Sequence, residues 1–294
     1  MAIFAVNARP LSSAYSVSGA ELLSAYDESG GIVFTKTDYS TYQKTQFLSV
    51  GISSTQGFDI YSGVIFQFVT PTSAGNKMTT VNTSTASIIA SQIACASDHG
   101  DSASFSDEFY EPDDSFPLLY VTADTNPAKV YVNRVTTTSS QLVKTLSFPL
   151  DKTGYYAALC LDVENSIAYM VGYSKQNYKT DDSGTNKTVI SKWDLSSLAE
   201  NQDGSFTPSF LSRIERPFIY VMQGQQFHDG MLWIASGGSN YNGYVYALDP
   251  SNGELLYSVN SGTTVEIEGI AWISNNEMIT GHQGGTYYKF TFGS

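Results

Sequence analysis

What most restricts the fold of this chain is a pattern that returns along it. TQGFDIYSGVIFQF (55–68) and MQGQQFHDGMLWIAS (222–236) share Gln-Gly, a second glycine six residues on, and then an apolar run whose third residue is aromatic. EGIAWISNNEMIT opens in the same way at Glu268-Gly269, DSASFSDEF at Asp101-Ser102, and AALCLDVENSIAYM at Ala157-Ala158. The anchors fall at 56, 101, 157, 223 and 268, spaced by 45, 56, 66 and 45 residues. The two longer intervals hold the insertions EFYEPDDSFP and SKQNYKTDDSGTNK.

Repeats of this length built from several short strands signal propeller blades. Each unit reads as four strands rich in β-branched and aromatic residues, bounded by Gly, Asn, Asp, Ser or Pro turns. VIFQFV, PLLYVTA, IAYMVGY, MLWIAS and EMITG are the second strands, and a weak fourth strand is expected near SFLSRI. The chain stops before the last unit has a fourth strand, while KTQFLSV (44–50) precedes the first anchor and resembles the KTLSFPL that precedes the third. A strand from the N-terminal side therefore completes the last unit and closes the ring, which removes an open sheet edge. The expected fold is all-β: a five-bladed β-propeller over 39–294, with 1–38 as an N-terminal extension and possible attachment segment carrying its own Ala-Tyr-x-x-Ser-Gly repeat at Ala14 and Ala25. A charged fraction of only 15% agrees, since long surface helices need more Glu, Lys and Arg.

A net charge of −13 disfavours nucleic acid and anionic lipid. MAIFAVNARP has no basic segment followed by a long apolar one, so no signal peptide is expected, and no apolar run is long enough to span a membrane. Cys95 and Cys160 are too few for a disulfide framework and lie in apolar surroundings, as buried thiols do.

Propeller first strands begin at one face, and the loops between second and third strands share it. The anchors Gln56, Asp101, Ala157, Gln223 and Glu268 thus converge on one funnel, joined by His99, Tyr155, Tyr156, Gln225, Asn240, Tyr241, His282, Gln283 and the insertion 174–187. Polar side chains aimed at one concave spot beside aromatics make a candidate ligand site. Asp101 and Glu268 facing one channel suit either acid–base chemistry or a Ca²⁺ ion held with backbone oxygens. The three histidines have no closely spaced ligand pair, so the spacing points to no zinc site. In HDG (228–230), Asp229-Gly230 matches Ser62-Gly63 and reads as a hairpin turn.

TQGFDIYSGVIFQ and EGIAWISNNEMITG resemble the opening and closing motifs of the glutamine cyclotransferase family of five-bladed propellers, over roughly 44–294. The resemblance implies cyclisation of N-terminal glutamine, with Gln56 at the position of the family's active-site glutamine and Asp101 at that of its second-blade glutamate. The family's pocket tryptophans have no clear counterpart: Trp233 falls in a second strand, Trp272 in a first and Trp193 at the end of a third. SSAYSVSGAELLSAYDESGGIVF resembles the start of phage tail and tail-fibre proteins, which implies a virion or extracellular-facing location and tail partners for 1–38. Without that attachment the expected location is the cytoplasm. The leading expectation is a non-enzymatic recognition module that binds a cell-surface glycan or peptide, because rings stack on sugars and amides bond their hydroxyls. A cyclotransferase using Gln56, Asp101 and Glu268, and a structural virion component, are the alternatives.

Overall fold

The computed structural model describes residues 37–72, 75–176, 185–237 and 243–293. The N-terminal repeat, the centre of the 174–187 insertion, Asn240 and Tyr241 lie outside the described residues. Among the described residues, apart from one short helix, α1 (Leu150–Thr153), the regular structure is β. Among the described residues no helix is long and apolar enough to cross a membrane.

The strands follow the repeat in antiparallel runs of four. The first run is β2 (Thr55–Tyr61), β3 (Val64–Thr72), β4 (Gly75–Asn82) and β5 (Ser87–Ala94). The next is β6 (Ala103–Phe105), β7 (Leu119–Ala123), β8 (Ala128–Val135) and β9 (Ser140–Phe148). The third is β10 (Tyr155–Asp162), β11 (Ile167–Tyr173), β12 (Lys187–Glu200) and β13 (Phe206–Pro217). A parallel pairing of Phe206 in β13 with Leu146 in β9 joins the second and third runs into one eight-stranded sheet. Next comes β14 (Met222–His228), β15 (Met231–Ser236), β16 (Tyr244–Leu248) and β17 (Leu255–Asn260).

The last sheet joins both ends of the described chain. β18 (Ile267–Ser274), β19 (Glu277–His282) and β20 (Thr286–Phe292) are completed by β1 (Tyr42–Ser49), which pairs antiparallel with β20 from Tyr42↔Phe292 to Ser49↔Thr286. Just before β1, Tyr39 is buried edge-on against Trp233, Trp272 and Phe292, with ring centroids 5.0, 5.5 and 5.1 Å away. Its hydroxyl donates to Asp229 Oδ2 and to the Asn275 carbonyl. A buried aromatic of this size contributes roughly 2 kcal/mol or more, so Tyr39 pins the entering chain to the sheets it closes.

Apolar side chains fill the space between successive runs. Phe66, Phe68, Leu119 and Val121 pack together between the first and second runs. Val130, Phe148, Leu159 and Trp193 do so between the second and third, and Val171, Ile190, Leu232 and Ile234 between the third and fourth. Trp233, Val259, Ile270 and Phe290 bind the fourth run to the last sheet, while Ile279, Tyr287, Phe58 and Ile65 bind the last sheet to the first. The first strands touch in cyclic order, β2 to β6, β6 to β10, β10 to β14, β14 to β18 and β18 back to β2.

This convergence explains the Gln-Gly pattern. A Cβ on Gly57 would lie 2.4 Å from the Gly100 carbonyl oxygen, and one on Gly224 would lie 2.3 Å from Gly269 Cα. Both contacts are with backbone, which cannot swing away, so only glycine lets the first strands approach so closely. The Asp229-Gly230 and Ser62-Gly63 turns have positive φ at both residues (57° and 74°, 49° and 76°), the geometry of a two-residue hairpin turn.

Candidate functional site

The first strands do more than converge. In β2 the register shifts between Thr55 and Phe58, in β10 between Tyr155 and Ala158, in β14 between Met222 and Gln225, and in β18 between Ile267 and Gly269. Each shift lies at the strand's start, and together they enclose Gln56, Tyr156, Gln223 and Glu268. A bulge breaks the alternation of side chains and re-aims one of them. Four sheets thus carry the same device at the same end of the same strand.

At that end lies an open cavity of about 130 Å³, room for several water-sized groups. Its polar lining includes His99, Asp101, Asp124, Gln223 and Glu266, and its apolar wall includes Tyr156 and Met222. Tyr156 has φ 51° and its backbone N–H donates to Asn126 Oδ1 at 2.8 Å. Val221, also in the lining, has φ 33°. Positive φ is costly for a β-branched residue and is found where surrounding structure holds a site in shape.

The electrostatics of the cavity are acidic. His99 Nδ1 donates to Asp101 Oδ1 at 2.6 Å, and that hydrogen bond, with the nearby carboxylate charges, raises the imidazole to about 8 against the opposing effect of burial. Asp124 is raised to about 6, first by desolvation and then by the Asp101 charge. Gln223 Nε2 donates to Glu266 Oε1 at 2.7 Å. Glu268 is 4% exposed, and among the described residues no hydrogen bond reaches its carboxyl. Burial, reinforced by the charges of Glu266 and Asp101, pushes it up to about 8, while His99 pulls the other way.

The residues singled out from sequence divide into several groups. His99, Asp101, Tyr156 and Gln223 line the cavity, and Glu268 lies within electrostatic reach of it. Tyr155 stands at the edge of β10, opposite Tyr173, and is absent from the lining. Gln56 is buried, with Nε2 donating to Thr70 Oγ1 and its carbonyl accepting from the Gln67 amide. Gln225 points into the sheets, where its amide donates to the Val171 carbonyl. His282 is buried between Thr280 Oγ1 and the Val265 carbonyl, and burial holds it down at about 4. Cys95 and Cys160 are buried free thiols, as expected.

Asp124 and Glu266 were not anticipated from sequence. Asp124 follows β7, in a loop between second and third strands that opens on the expected face, so its position was the available signal. With it, one ligand atom each from His99, Asp101 and Asp124 lie within 4.8 Å of one another, a grouping across two loops that linear spacing does not disclose.

No protein-family model matches the chain, and no curated protein does. Among solved structures it is similar to the glutaminyl cyclase of Myxococcus xanthus, with a TM-score of 0.51 and 13% identity, over 85% of this chain and 94% of that one. At that identity the likeness concerns backbone architecture: the chain has an all-β, glutaminyl cyclase-like fold.

Proposed function

We propose that the chain is a five-bladed β-propeller that recognises a cell-surface glycan or peptide in the bulge-lined cavity. The blade count rests on the antiparallel runs of four, the closing strand β1 and the cyclic contacts of the first strands. The observation that carries the recognition reading is the bulge shared by four first strands at one end of the sheets, where two of the residues it encloses, Tyr156 and Gln223, line the cavity.

The ligand chemistry follows from the lining. Asp101, Asp124 and Glu266 are acceptors when ionised, and the Gln223 amide is already donating to one of them. Such a site selects groups that donate, either the hydroxyls of a neutral or amino sugar or the ammonium of a peptide. The Tyr156 ring offers an apolar face for stacking. Carboxylated, sulfated or phosphorylated ligands are disfavoured by the cavity and by the net charge of −13. A glycan and peptide array probed with wild type and Gln223→Ala tests this: neutral, amino-sugar or amine-bearing hits that weaken at least tenfold in the variant support it. A blank array, or hits dominated by acidic ligands, contradicts it. Attachment to a phage tail rests on the N-terminal motif, and co-purification of full-length chain, but not of a form lacking 1–36, with tail proteins tests it.

A second reading, glutamine cyclisation, is favoured by Glu268. A buried carboxyl still protonated at neutral pH is suited to donate a proton to departing ammonia as the α-amine closes on the side-chain carbonyl carbon. The cavity has no tryptophan in its described lining. Ammonia release from a glutaminyl peptide, abolished in Glu268→Gln, would establish it; no release under conditions where a known cyclase works removes it.

A further inference from the structure

We infer that His99, Asp101 and Asp124 form a site for a divalent transition-metal ion of the zinc type, with Glu268 behind it. This goes beyond ligand recognition and does not depend on it.

The donor set comes first. An imidazole nitrogen and two carboxylate oxygens lie within 4.8 Å of one another. Zinc bonds of about 2.0–2.2 Å place tetrahedral ligand atoms about 3.4 Å apart. The His99–Asp101 pair is already closer than that, at 2.6 Å, so binding means replacing its shared proton by the ion and swinging the exposed Asp124 carboxylate inward. A nitrogen ligand alongside carboxylates favours zinc and its neighbours over calcium, which prefers an all-oxygen shell.

The second observation lies in another sheet. Glu268 belongs to β18, is 4% exposed, and receives no hydrogen bond from any described residue. It lies close enough to His99 and Asp101 for their charges to act on it. A metal-bound water, or an imidazole turned by metal ligation, would supply the missing donor, the usual part of a carboxyl in the layer behind a metal. The described lining contains no Lys or Arg that would compete as the cation.

Three protein ligands leave a coordination position open toward the cavity, the arrangement of zinc sites that accept an exogenous group. The other imidazoles are not available for a rival site. His282 is buried between Thr280 and Val265, and His228 is stacked on Trp272 with ring centroids 3.9 Å apart.

Calorimetric titration of EDTA-stripped, full-length protein with Zn²⁺ alone tests the inference. One saturable site per chain is expected, weakened at least tenfold by His99→Ala and by Asp124→Asn, and at least tenfold weaker for Ca²⁺. Asp124 is exposed, so Asp124→Asn remains informative if His99→Ala folds poorly. No saturable uptake, or uptake indifferent to both ligand variants, overturns the site. Because the titration contains no glycan or peptide, its failure leaves recognition standing. Arrays run in EDTA test recognition separately.

Discussion

Two buried carboxyls on first strands make opposite use of burial. Asp59 in β2 is 7% exposed and well supplied: the Phe105 N–H donates to Oδ2 at 2.8 Å and the Ile60 N–H to Oδ1 at 2.7 Å. Burial raises its pKa, but those donors hold the rise to about 6. Glu268 in β18 is as deeply buried, has no such donors, and rises to about 8. Asp59 ties β2 to β6 and belongs to the framework. Glu268 adds nothing comparable to the framework and sits beside an open cavity. Hydrogen-bond supply, more than burial, separates an acid that holds the fold from one available to a ligand, proton or metal.

The comparison can be broken in several ways, the most drastic being at the framework both acids share. Gly224→Ala drives a Cβ into Gly269 backbone and is expected to cost more than about 4 kcal/mol, read as loss of the cooperative unfolding transition. Asp59→Ala strands two backbone N–H groups and should cost about 3 kcal/mol by denaturant midpoint, with ligand binding by the folded fraction unchanged. An unaltered midpoint would remove the distinction between the two acids.

Glu268→Gln sharpens the contrast through pH. A carboxyl raised from 4.5 unfolded to about 8 folded leaves the native state holding the extra proton between those values. Its stabilising effect is complete below about 4.5 and is lost as pH rises through about 8. The facing groups are His99, Asp101 and Glu266. In EDTA, Glu268→Gln should gain about 4 kcal/mol on wild type between pH 5 and 8.5; parallel profiles would mean that Glu268 is not held protonated. The smallest effect is expected for Gln223→Ala, within about 0.5 kcal/mol of wild type, because it removes one hydrogen bond at the cavity wall.

Much of this was legible in sequence because the repeat is tied to geometry that only glycine permits. The second strands, the Asp229-Gly230 turn and the joining of β1 to the C-terminal sheet all follow from it. The strand expected to be weak near SFLSRI is instead the twelve-residue β13. Pairing with the fourteen-residue β12 carries it further than local propensity indicates. Site residues were harder to read because bulges spoil parity. Gln223 and Gln225 share a face in a regular strand, but the shift between Met222 and Gln225 sends one to the cavity and the other into the sheets. Asp124 and Glu266 became part of the site only through cyclic closure, which brings loops far apart in sequence to one rim.

The central claim is that the bulge-lined cavity is where a ligand is recognised, and a crystal structure with the strongest array ligand tests it most directly. The account predicts the ligand in that cavity, with donor groups within hydrogen-bond distance of Asp101 or Glu266 and an apolar face on Tyr156. A ligand seated elsewhere, for instance in the groove lined by Lys144, Leu146 and Leu161, would contradict it.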